Sequence, residues 1–327
     1  MSVQQKVLLT LPSWIVPKIR LNIRFYRLFT LGGAGSVILF GKINKGERCA
    51  MDYLVERECG EDYILEGLRH FDLEAILCCG QAFRWNKTGE HTYSGIAFGL
   101  CRSVTQEGDT LIFHGVSEAE FKSVWFDYFD LARSYGDLKE EFSRHEHLGE
   151  AVAYCPGIRV LRQESWETLC TFILSQNNNI TRIKSLAERL CAHFGQPISG
   201  GFDFPTPECL AALEPQDLEP VRCGFRAKYI IDAAQAVAYG RIDLEAIYTL
   251  PFDEALSTLQ TIHGVGPKVA HCALLFGFGR TECLPVDVWM RRALDAWFPG
   301  GLPEEILPVA GIAQQYLFHY VRTTSVL

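Results

Sequence analysis

One lysine and one aspartate near the C-terminus have the residue types and spacing of a catalytic pair for a reaction at a sugar carbon. Lys268 follows the Gly-rich segment Gly264–Gly266, and Asp287 stands nineteen residues later within Pro285–Val288. An amine at a helix N-terminus in apolar surroundings favours its uncharged, nucleophilic form. Such an amine can displace a base from C1′ of deoxyribose and form a Schiff base, while a carboxylate stabilises the oxocarbenium-like charge that develops. The pair therefore suggests chemistry on a nucleotide within DNA.

Both residues also have ordinary alternative roles. Asp287 follows a proline and precedes a predicted helix, so it can be an N-cap, a role that is compatible with catalysis. Lys268 taken alone would more often be a solvated surface side chain. The choice between these roles depends on the surrounding sequence.

The Gly-rich segment predicts a helix-hairpin-helix that binds phosphates of a DNA backbone. Its glycines allow close backbone approach and leave N–H groups free at the N-terminus of the second helix, where the helix dipole favours a phosphate oxygen. We expect DNA contacts from His263, Gly264, Val265 and Gly266. The carbonyls of Ile262 and Val265 could also hold a monovalent cation. Such a motif indicates DNA binding and says nothing about catalysis.

The charge distribution argues against nonspecific DNA binding by the whole surface. Residues 1–50 hold eight of the 31 Lys/Arg and one of the 39 Asp/Glu residues, so the rest of the chain holds 23 and 38, a balance of −15. A DNA site on such an acidic body must be a local basic face.

Cysteine usage and hydropathy exclude several other classes. The twelve cysteines form no regular framework and no CxxC pair, which predicts reduced thiols and disfavours a structural zinc site. The sequence shows no signal peptide with a clear apolar region and cleavage site. No apolar run reaches the roughly 18–20 residues of a membrane span.

The pattern of apolar residues predicts an α+β protein. Alternation in Thr92–Phe98 and Thr110–His114 predicts strands, and Glu107–Asp109 predicts the turn between them. Residues 118–150 are helical in pattern, and helical periodicity dominates from residue 158. We expect helices near 166–174, 183–194, from 206, 228–239, from 250 and near 303–321. This pattern predicts an antiparallel β domain with flanking helices over 51–150 and a mainly helical domain, containing the hairpin, over 151–327.

Residues 1–50 differ from the rest of the chain. They are basic and place Arg20, Arg24 and Arg27 among aliphatic and aromatic residues. A targeting peptide or an amphipathic membrane helix is one interpretation. We favour an extension of the reading frame upstream of a natural start at Met51, and in either case expect little packed structure.

Three further segments carry a family resemblance. They are Cys79–Trp85 (CGQAFRW), Ser175–Ile183 (SQNNNITRI) and Cys223–Tyr229 (CGFRAKY). Together with Gly264–Asp287, they resemble the 8-oxoguanine DNA glycosylase/AP lyase family of the helix-hairpin-helix DNA glycosylase superfamily. The matches keep the order and spacing of the family across residues ~70–320. The resemblance implies that 151–327 is a helix-hairpin-helix glycosylase domain.

The resemblance implies a role for each residue of the reaction site. Lys268 would be the nucleophile and Schiff-base lysine, and Asp287 the catalytic acid group. The extruded base would lie between Cys272 and Phe318, and Gln314 would read its Watson–Crick edge. Cys272 lies four residues after Lys268, on the same face of a helix.

Further residues would recognise the lesion and the surrounding duplex. The carbonyl of Gly80 would accept a hydrogen bond from the N7–H that distinguishes 8-oxoguanine from guanine. Asn177 would fill the space that the base leaves, and Phe225 would insert into the base stack. Arg182 and Arg226 would contact the opposite cytosine.

Each of these residues also has a structural interpretation. Gln314 and Phe318 could be surface and core residues of a terminal helix, and Cys272 a small buried apolar residue. Asn177–Asn179 could form only a turn or a cap. Their joint occurrence at matching positions favours the family roles.

Two departures from the family pattern bear on specificity. Phe225 stands where many relatives have tyrosine, so a hydroxyl contact is lost while stacking is kept. Trp289 stands where some relatives have histidine. We therefore expect looser discrimination of the opposite base.

Competing hypotheses explain fewer of these residues. Monofunctional glycosylases of the superfamily lack the lysine, and an iron–sulfur branch would need cysteines after Asp287, where the sequence has none. A noncatalytic DNA-binding module uses only the hairpin, and a structural or partner-binding protein leaves the hairpin unexplained.

We expect no cofactor, a monomer that acts on double-stranded DNA containing oxidised guanine, and no membrane association. The expected location is the cytoplasm with the nucleoid, or the nucleus in a eukaryote.

Overall fold

The structure is a computed structural model that describes residues 51–327 and, before them, the backbone of four segments. These segments are strands β1 (Lys6–Pro12), β2 (Arg20–Leu21), β3 (Phe25–Thr30) and β4 (Ser36–Lys42). β1, β4 and β3 form an antiparallel sheet in that order. These strands were not predicted from the sequence, and the hypothesis of a natural start at Met51 stays a prediction.

The main sheet is antiparallel, as the alternating pattern predicts. Its further strands are β5 (Val55–Cys59), β6 (Asp62–Glu66), β7 (Trp85–Lys87), β8 (Thr92–Ala97), β9 (Leu100–Glu107) and β10 (Thr110–His114). The strand order is β2-β5-β6-β10-β9-β8-β7. β9 and β10 pair through Glu107 and Thr110, and Gly108 takes φ +60° in the predicted turn.

Aromatic side chains fill the space between this sheet and the helical segments beside it. These segments are α1 (Leu73–Cys78), α2 (Glu118–Glu120) and α3 (Phe126–Tyr128), with a π-helical turn at Phe121–Trp125 joining α2 to α3. Phe113 packs edge-on against Phe121 at 5.2 Å and Phe129 at 5.7 Å between ring centroids. The face of the sheet that alternation marks as apolar is therefore buried against an aromatic core.

The rest of the described chain is mainly helical. Its elements are α4 (Tyr135–Phe142), α5 (Glu146–Tyr154), α6 (Ser165–Leu174), α7 (Ile180–Phe194), β11 (Pro197–Ile198), β12 (Gly201–Phe202), α8 (Pro207–Ala211), α9 (Ala227–Ala238), α10 (Leu244–Ile247), α11 (Phe252–Gln260), α12 (Pro267–Gly277), α13 (Val288–Trp297) and α14 (Ala310–Thr324), with 3₁₀ turns at Pro215–Val221, Gly224–Arg226 and Glu304–Val309. The α+β class is confirmed.

Helices α6 and α12 pack closely at the centre of the helical core. Phe172 and Phe276 stack with ring centroids 5.3 Å apart, and Gly277 lies so close to α6 that an added Cβ would be 3.1 Å from the Cα of Ser165. This packing buries the apolar faces of both helices and fixes the helix on which Lys268 stands.

Buried polar residues join the sheet to the helices. Arg159 is fully buried and pairs with Asp52 at 2.9 Å, and it also donates to the carbonyls of Phe129 and Asp130. Asp52 in turn accepts from the backbone N–H of Tyr135 at 2.8 Å. These bonds connect residues far apart in sequence, so they form a polar junction between the two predicted domains.

Among the described residues, no helix is both long and apolar enough to cross a bilayer. The same part of the chain contains no cluster of three or more His, Cys, Asp or Glu side chains arranged to hold a metal ion.

Candidate active site

Lys268 lies at the start of α12 on an aromatic surface. The helix begins at Pro267 after Gly266, and Lys268 is half-buried. Its Nζ is 3.4 Å from the Oγ of Ser175 and 5.2 Å from the ring centroid of Phe172. The amine thus has one hydroxyl neighbour, an aromatic face beneath it and the positive end of a helix dipole.

Asp287 is the N-cap of α13, as one of its two interpretations predicts. Its carboxylate accepts from the backbone N–H of Met290 at 2.9 Å. Burial raises the pKa of the Cys272 thiol; the Lys268 ammonium opposes that rise, and the Asp287 carboxylate adds to it. Both charged groups are therefore near enough to the buried Cys272 thiol to affect its pKa.

Gly80 takes a backbone conformation that favours glycine and borders the C-terminal helix. Its φ is +93°, and an added Cβ would lie 3.0 Å from the Cδ1 of Ile180 and 3.4 Å from the Nη1 of Arg322. The Arg322 guanidinium also lies 5.2 Å from the ring centroid of Phe318, which is half-buried on α14. Gly80, Phe318 and Arg322 therefore form one wall of the candidate site.

Gln314 is buried on α14 with an unsatisfied acceptor. Its side chain is 5% exposed, and its Oε1 has no hydrogen-bond partner within the described chain. A buried carbonyl oxygen without a donor is costly, so a donor from outside the protein chain would stabilise it. This oxygen can accept from the N–H groups of a bound base.

The segment that contains Asn177 forms an exposed turn between α6 and α7. Asn177 is exposed and takes φ +48°, which is uncommon for a residue with a side chain. Asn178 donates to the carbonyl of Leu174, and Asn179 caps α7 by accepting from the N–H of Arg182. The cap interpretation is therefore confirmed for Asn179, while Asn177 presents its side chain to solvent.

Arg226 connects this turn to the segment that carries Phe225. Its side chain is buried, with donors to the carbonyls of Gln176, Asn177 and Cys223. Burial, and then the guanidinium of Arg182, lowers the pKa of Arg226. Arg226 thus fixes two loops together, and its contact with an opposite cytosine stays a prediction.

Phe225 projects from the same segment and is 49% exposed. The Arg226 guanidinium lies 4.4 Å from its ring centroid, and Tyr229 packs against it edge-on. An exposed ring that Arg226 and Tyr229 support from the protein side has the geometry of a side chain that can insert between nucleobases.

The hairpin packs against the segment that carries Phe225 through Tyr229. Gly264 has φ +85°, and an added Cβ would lie 2.3 Å from the Cγ of Tyr229. His263 contacts the same ring at 4.9 Å, and its backbone N–H donates to Asp232. A Cβ at Gly266 would meet nothing within 4 Å. The hairpin therefore needs glycine at 264 for packing, whereas Gly266 lies beside open space.

His271 holds the segment that leads to Asp287. Its Nδ1 accepts from the backbone N–H of Leu284 at 3.2 Å. Burial lowers the pKa of His271, so the ring stays neutral and keeps this acceptor. His271 lies on the same helix as Lys268, and it therefore helps to position the segment that carries the Asp287 carboxylate.

We expect acidification to remove the stabilisation that comes from the hydrogen bond between Leu284 and neutral His271. Because the folded pKa lies below the ordinary value of about 6.5, the contribution is complete above that pH and is lost as pH falls through the folded pKa. The melting temperature of the wild type should fall between pH 7.5 and 5 by on the order of 2 °C more than that of His271→Gln. Equal pH dependence of the two proteins would contradict this role, and exposed His193→Gln is the control.

Several site residues were missed by the sequence analysis. Ser175 and Phe172 contact Lys268. His271 and Gln315 bond to the backbone of Leu284 and Cys79, in the segments that carry Asp287 and Gly80. Ser175 was within a matched segment but had no assigned role. Phe172 has the pattern of an ordinary core residue, so only its packing reveals that it underlies the amine.

The fold and this site define a class, namely the helix-hairpin-helix DNA glycosylases. Residues 170–303 match the model of the HhH-GPD superfamily base excision DNA repair proteins, and residues 64–169 match that of the 8-oxoguanine DNA glycosylase N-terminal domain. The chain belongs to the 8-oxoguanine DNA glycosylase family. The resemblance stated from the sequence is confirmed.

Curated relatives and solved structures agree with this assignment. The chain is 34% identical to N-glycosylase/DNA lyase OGG1 of Arabidopsis thaliana and 38% identical to N-glycosylase/DNA lyase of Saccharomyces cerevisiae. These matches cover 64% and 67% of this chain, and span 62% and 66% of the two relatives.

Two solved structures match over nearly their whole length. MBOgg1 in complex with a low affinity DNA ligand has 42% identity and a TM-score of 0.78, covering 83% of this chain and 98% of its own. The Clostridium acetobutylicum 8-oxoguanine glycosylase/lyase, in complex with dsDNA containing cytosine opposite to 8-oxoG, has 34% identity and a TM-score of 0.79. That match covers 84% of this chain and 100% of the other.

Proposed function

We propose that the protein is a bifunctional DNA glycosylase/AP lyase that excises 8-oxoguanine from duplex DNA in base excision repair. The observation that carries this proposal is the amine of Lys268, which lies on the Phe172 ring at a helix N-terminus and shares the Cys272 site with Asp287. The names of the relatives, N-glycosylase/DNA lyase and 8-oxoguanine glycosylase/lyase, support the same activity.

The proposed reaction begins at C1′ of the damaged nucleotide. The nitrogen of Lys268 gives its lone pair to C1′ as the C1′–N9 bond breaks. The base leaves with the electron pair of that bond and takes up one of the two protons of the attached nitrogen. Asp287 stabilises the positive charge that develops on the sugar. The C1′–O4′ bond then breaks, O4′ takes up the remaining nitrogen proton, and the nitrogen and C1′ form the C=N bond of the Schiff base. Removal of a C2′ proton breaks the C3′–O bond, and water finally releases the lysine.

Recognition of the base would combine α14 with the Gly80 segment. Oε1 of Gln314, which has no partner among the described residues, would accept from the Watson–Crick N–H groups of the base. The Gly80 carbonyl would accept from N7–H, and Cys272 and Phe318 would contact the two base faces. A site built this way leaves unmodified guanine, whose N7 is an acceptor, without a partner at Gly80.

The remaining predicted residues would hold the duplex. Asn177 would fill the vacated position, Phe225 would insert into the stack, and Arg182 with Arg226 would face the opposite cytosine. The residues for phosphate contact are His263, Gly264, Val265 and Gly266. We propose that the protein is a monomer and that its reaction needs no catalytic metal or cofactor. A monovalent cation at the hairpin would take no part in the reaction. Its place would be with the DNA, at the nucleoid or in the nucleus.

Borohydride trapping tests the proposed function. The protein is incubated with a duplex that carries one 8-oxoguanine opposite cytosine, and borohydride is added to reduce a Schiff base to a stable covalent complex. We expect a trapped band on a denaturing gel. A band with a preformed abasic site but none with 8-oxoguanine would contradict the base assignment, and no band with either would contradict the lyase.

Gln314→Ala is expected to slow excision of 8-oxoguanine by roughly tenfold to a hundredfold, because N–H donors of the bound base lose their acceptor. Cleavage at a preformed abasic site bypasses base recognition and should change much less. The measurement is single-turnover cleavage of both duplexes, with Gln235→Ala on α9 as the control. An unchanged excision rate would exclude Gln314 from the base pocket.

A further inference from the structure

Gln315 connects the C-terminal helix to the backbone beside Gly80. It is 2% exposed, and its Nε2 donates to the carbonyl of Cys79 at 3.4 Å, across 236 residues of sequence. This bond holds the peptide that joins Cys79 to Gly80. The neighbour of Gln315 on α14, Gln314, presents the unpartnered oxygen described above.

The backbone on the other side of Gly80 is held by Gln81. The Gln81 side chain is fully buried and donates to the carbonyls of Ile76 and Arg159, at 2.9 and 2.8 Å. It also accepts from the N–H of Leu161, while Gln163 donates to the Gln81 carbonyl at 2.8 Å. Gly80 therefore lies between two anchored neighbours.

The direction of the Gly80 carbonyl depends on these anchors. Glycine at φ +93° has no side chain to restrict its torsions, so the flanking hydrogen bonds must fix them. On one flank the anchor is the Gln81 network. On the other flank, the N–H and thiol of Cys79 donate to the carbonyls of Ala75 and Ile76, and the Cys79 carbonyl accepts from Gln315. Loss of the bond from Gln315 removes this donor from the carbonyl of the Cys79–Gly80 peptide, which adjoins the recognition carbonyl, and so loosens the orientation of that peptide.

We propose that Gln315 is a positioning residue that aims the Gly80 carbonyl and so sets the preference for 8-oxoguanine over guanine. This inference rests on the proposed function. Because Gln314 and Gln315 are adjacent on α14, one helix both reads the Watson–Crick edge and holds the carbonyl that reads N7. Gln314 contacts an edge that the two bases share, whereas Gln315 acts on the position at which they differ.

The test is a comparison of affinities for two uncleaved duplexes. One carries 2′-fluoro-8-oxoguanine and the other 2′-fluoroguanine, because fluorine at C2′ disfavours positive charge on the sugar and blocks excision. We expect Gln315→Met to lower the affinity ratio between the duplexes about tenfold. Gln314→Ala should weaken both duplexes to a similar extent and leave the ratio within about twofold.

Tyr316→Phe is the matched control. Tyr316 is a buried residue on the same helix, and its hydroxyl donates to the carbonyl of Ile158 at 2.8 Å, so the variant also loses one buried bond from α14 to a carbonyl. Its affinity ratio should equal that of the wild type. A similar loss in Tyr316→Phe would overturn the proposal by showing that the effect comes from general loosening of α14.

The same experiment separates this inference from the proposed function. Cleavage of a preformed abasic site shows that each variant is folded with Lys268 in place. A wild type without preference for 8-oxoguanine would refute the proposed function and this inference together. A wild type with preference, and Gln315→Met with the same preference, would refute only the role of Gln315.

Discussion

Lys268→Gln is expected to lose base excision and strand cleavage together, by at least about 10³-fold, while duplex binding is retained. Both steps need the amine, first as nucleophile and then as Schiff base. Glutamine has a similar length and can still donate toward Ser175, whose Oγ lies 3.4 Å from the lysine Nζ. The change therefore removes nucleophilicity with little change in packing. Single-turnover cleavage and a binding isotherm on the same lesion duplex measure the two properties.

The matched control removes a lysine elsewhere. Lys122 lies beside the sheet and pairs with Glu118, so Lys122→Gln should keep wild-type cleavage and trapping. If Lys268→Gln still nicked lesion duplex at the wild-type rate, the assignment of the nucleophile would be wrong. Loss of duplex binding as well would show that the lysine mainly holds the DNA.

Asp52→Ala is expected to lower the free energy of unfolding by about 3–5 kcal/mol. Asp52 and Arg159 are both buried, and removal of the carboxylate leaves a buried guanidinium without its counter-charge. The N–H of Tyr135 loses its acceptor in the same change. Urea unfolding at neutral pH measures the effect.

Two further variants test the cause of this loss. The double variant Asp52→Ala with Arg159→Met should be less destabilised than the sum of the single variants, because the uncompensated charge is gone. Glu141→Ala removes an exposed pair with Arg144 and should cost less than about 1 kcal/mol. A loss of that small size in Asp52→Ala would show that the buried pair contributes little.

The sequence predicted the fold where local patterns decide it. Alternation located β8 and β10, and the turn at Gly108 was correctly placed between strands. Helix signals were similarly direct: Thr206 caps α8 before Pro207, and α9 follows the predicted 228–239 segment within one residue. Local propensity and apolar periodicity are short-range properties, so they can be recognised in the sequence without knowledge of the tertiary structure.

The positioning contacts of the site could not be predicted in this way. The bond from Gln315 to Cys79 joins residues 236 positions apart, and the pair of Asp52 with Arg159 joins residues 107 apart. No periodic pattern marks such residues, because their partners are decided by how elements pack. Arg226 illustrates the difference: resemblance implied a DNA contact, whereas the structure shows donors to the carbonyls of Gln176 and Asn177.

The buried network of Gln81 has a consequence for recognising members of this family by their sequences. Within CGQAFRW, Gln81 is satisfied inside the protein, Arg84 pairs with Glu167, and the Trp85 indole donates to Tyr128. Because these three residues stabilise the fold, selection for folding would keep them even in a homologue that had lost its catalytic lysine. Apart from Gly80, the signature therefore identifies an architecture, and an inactive descendant is expected to keep these three residues as an active enzyme does.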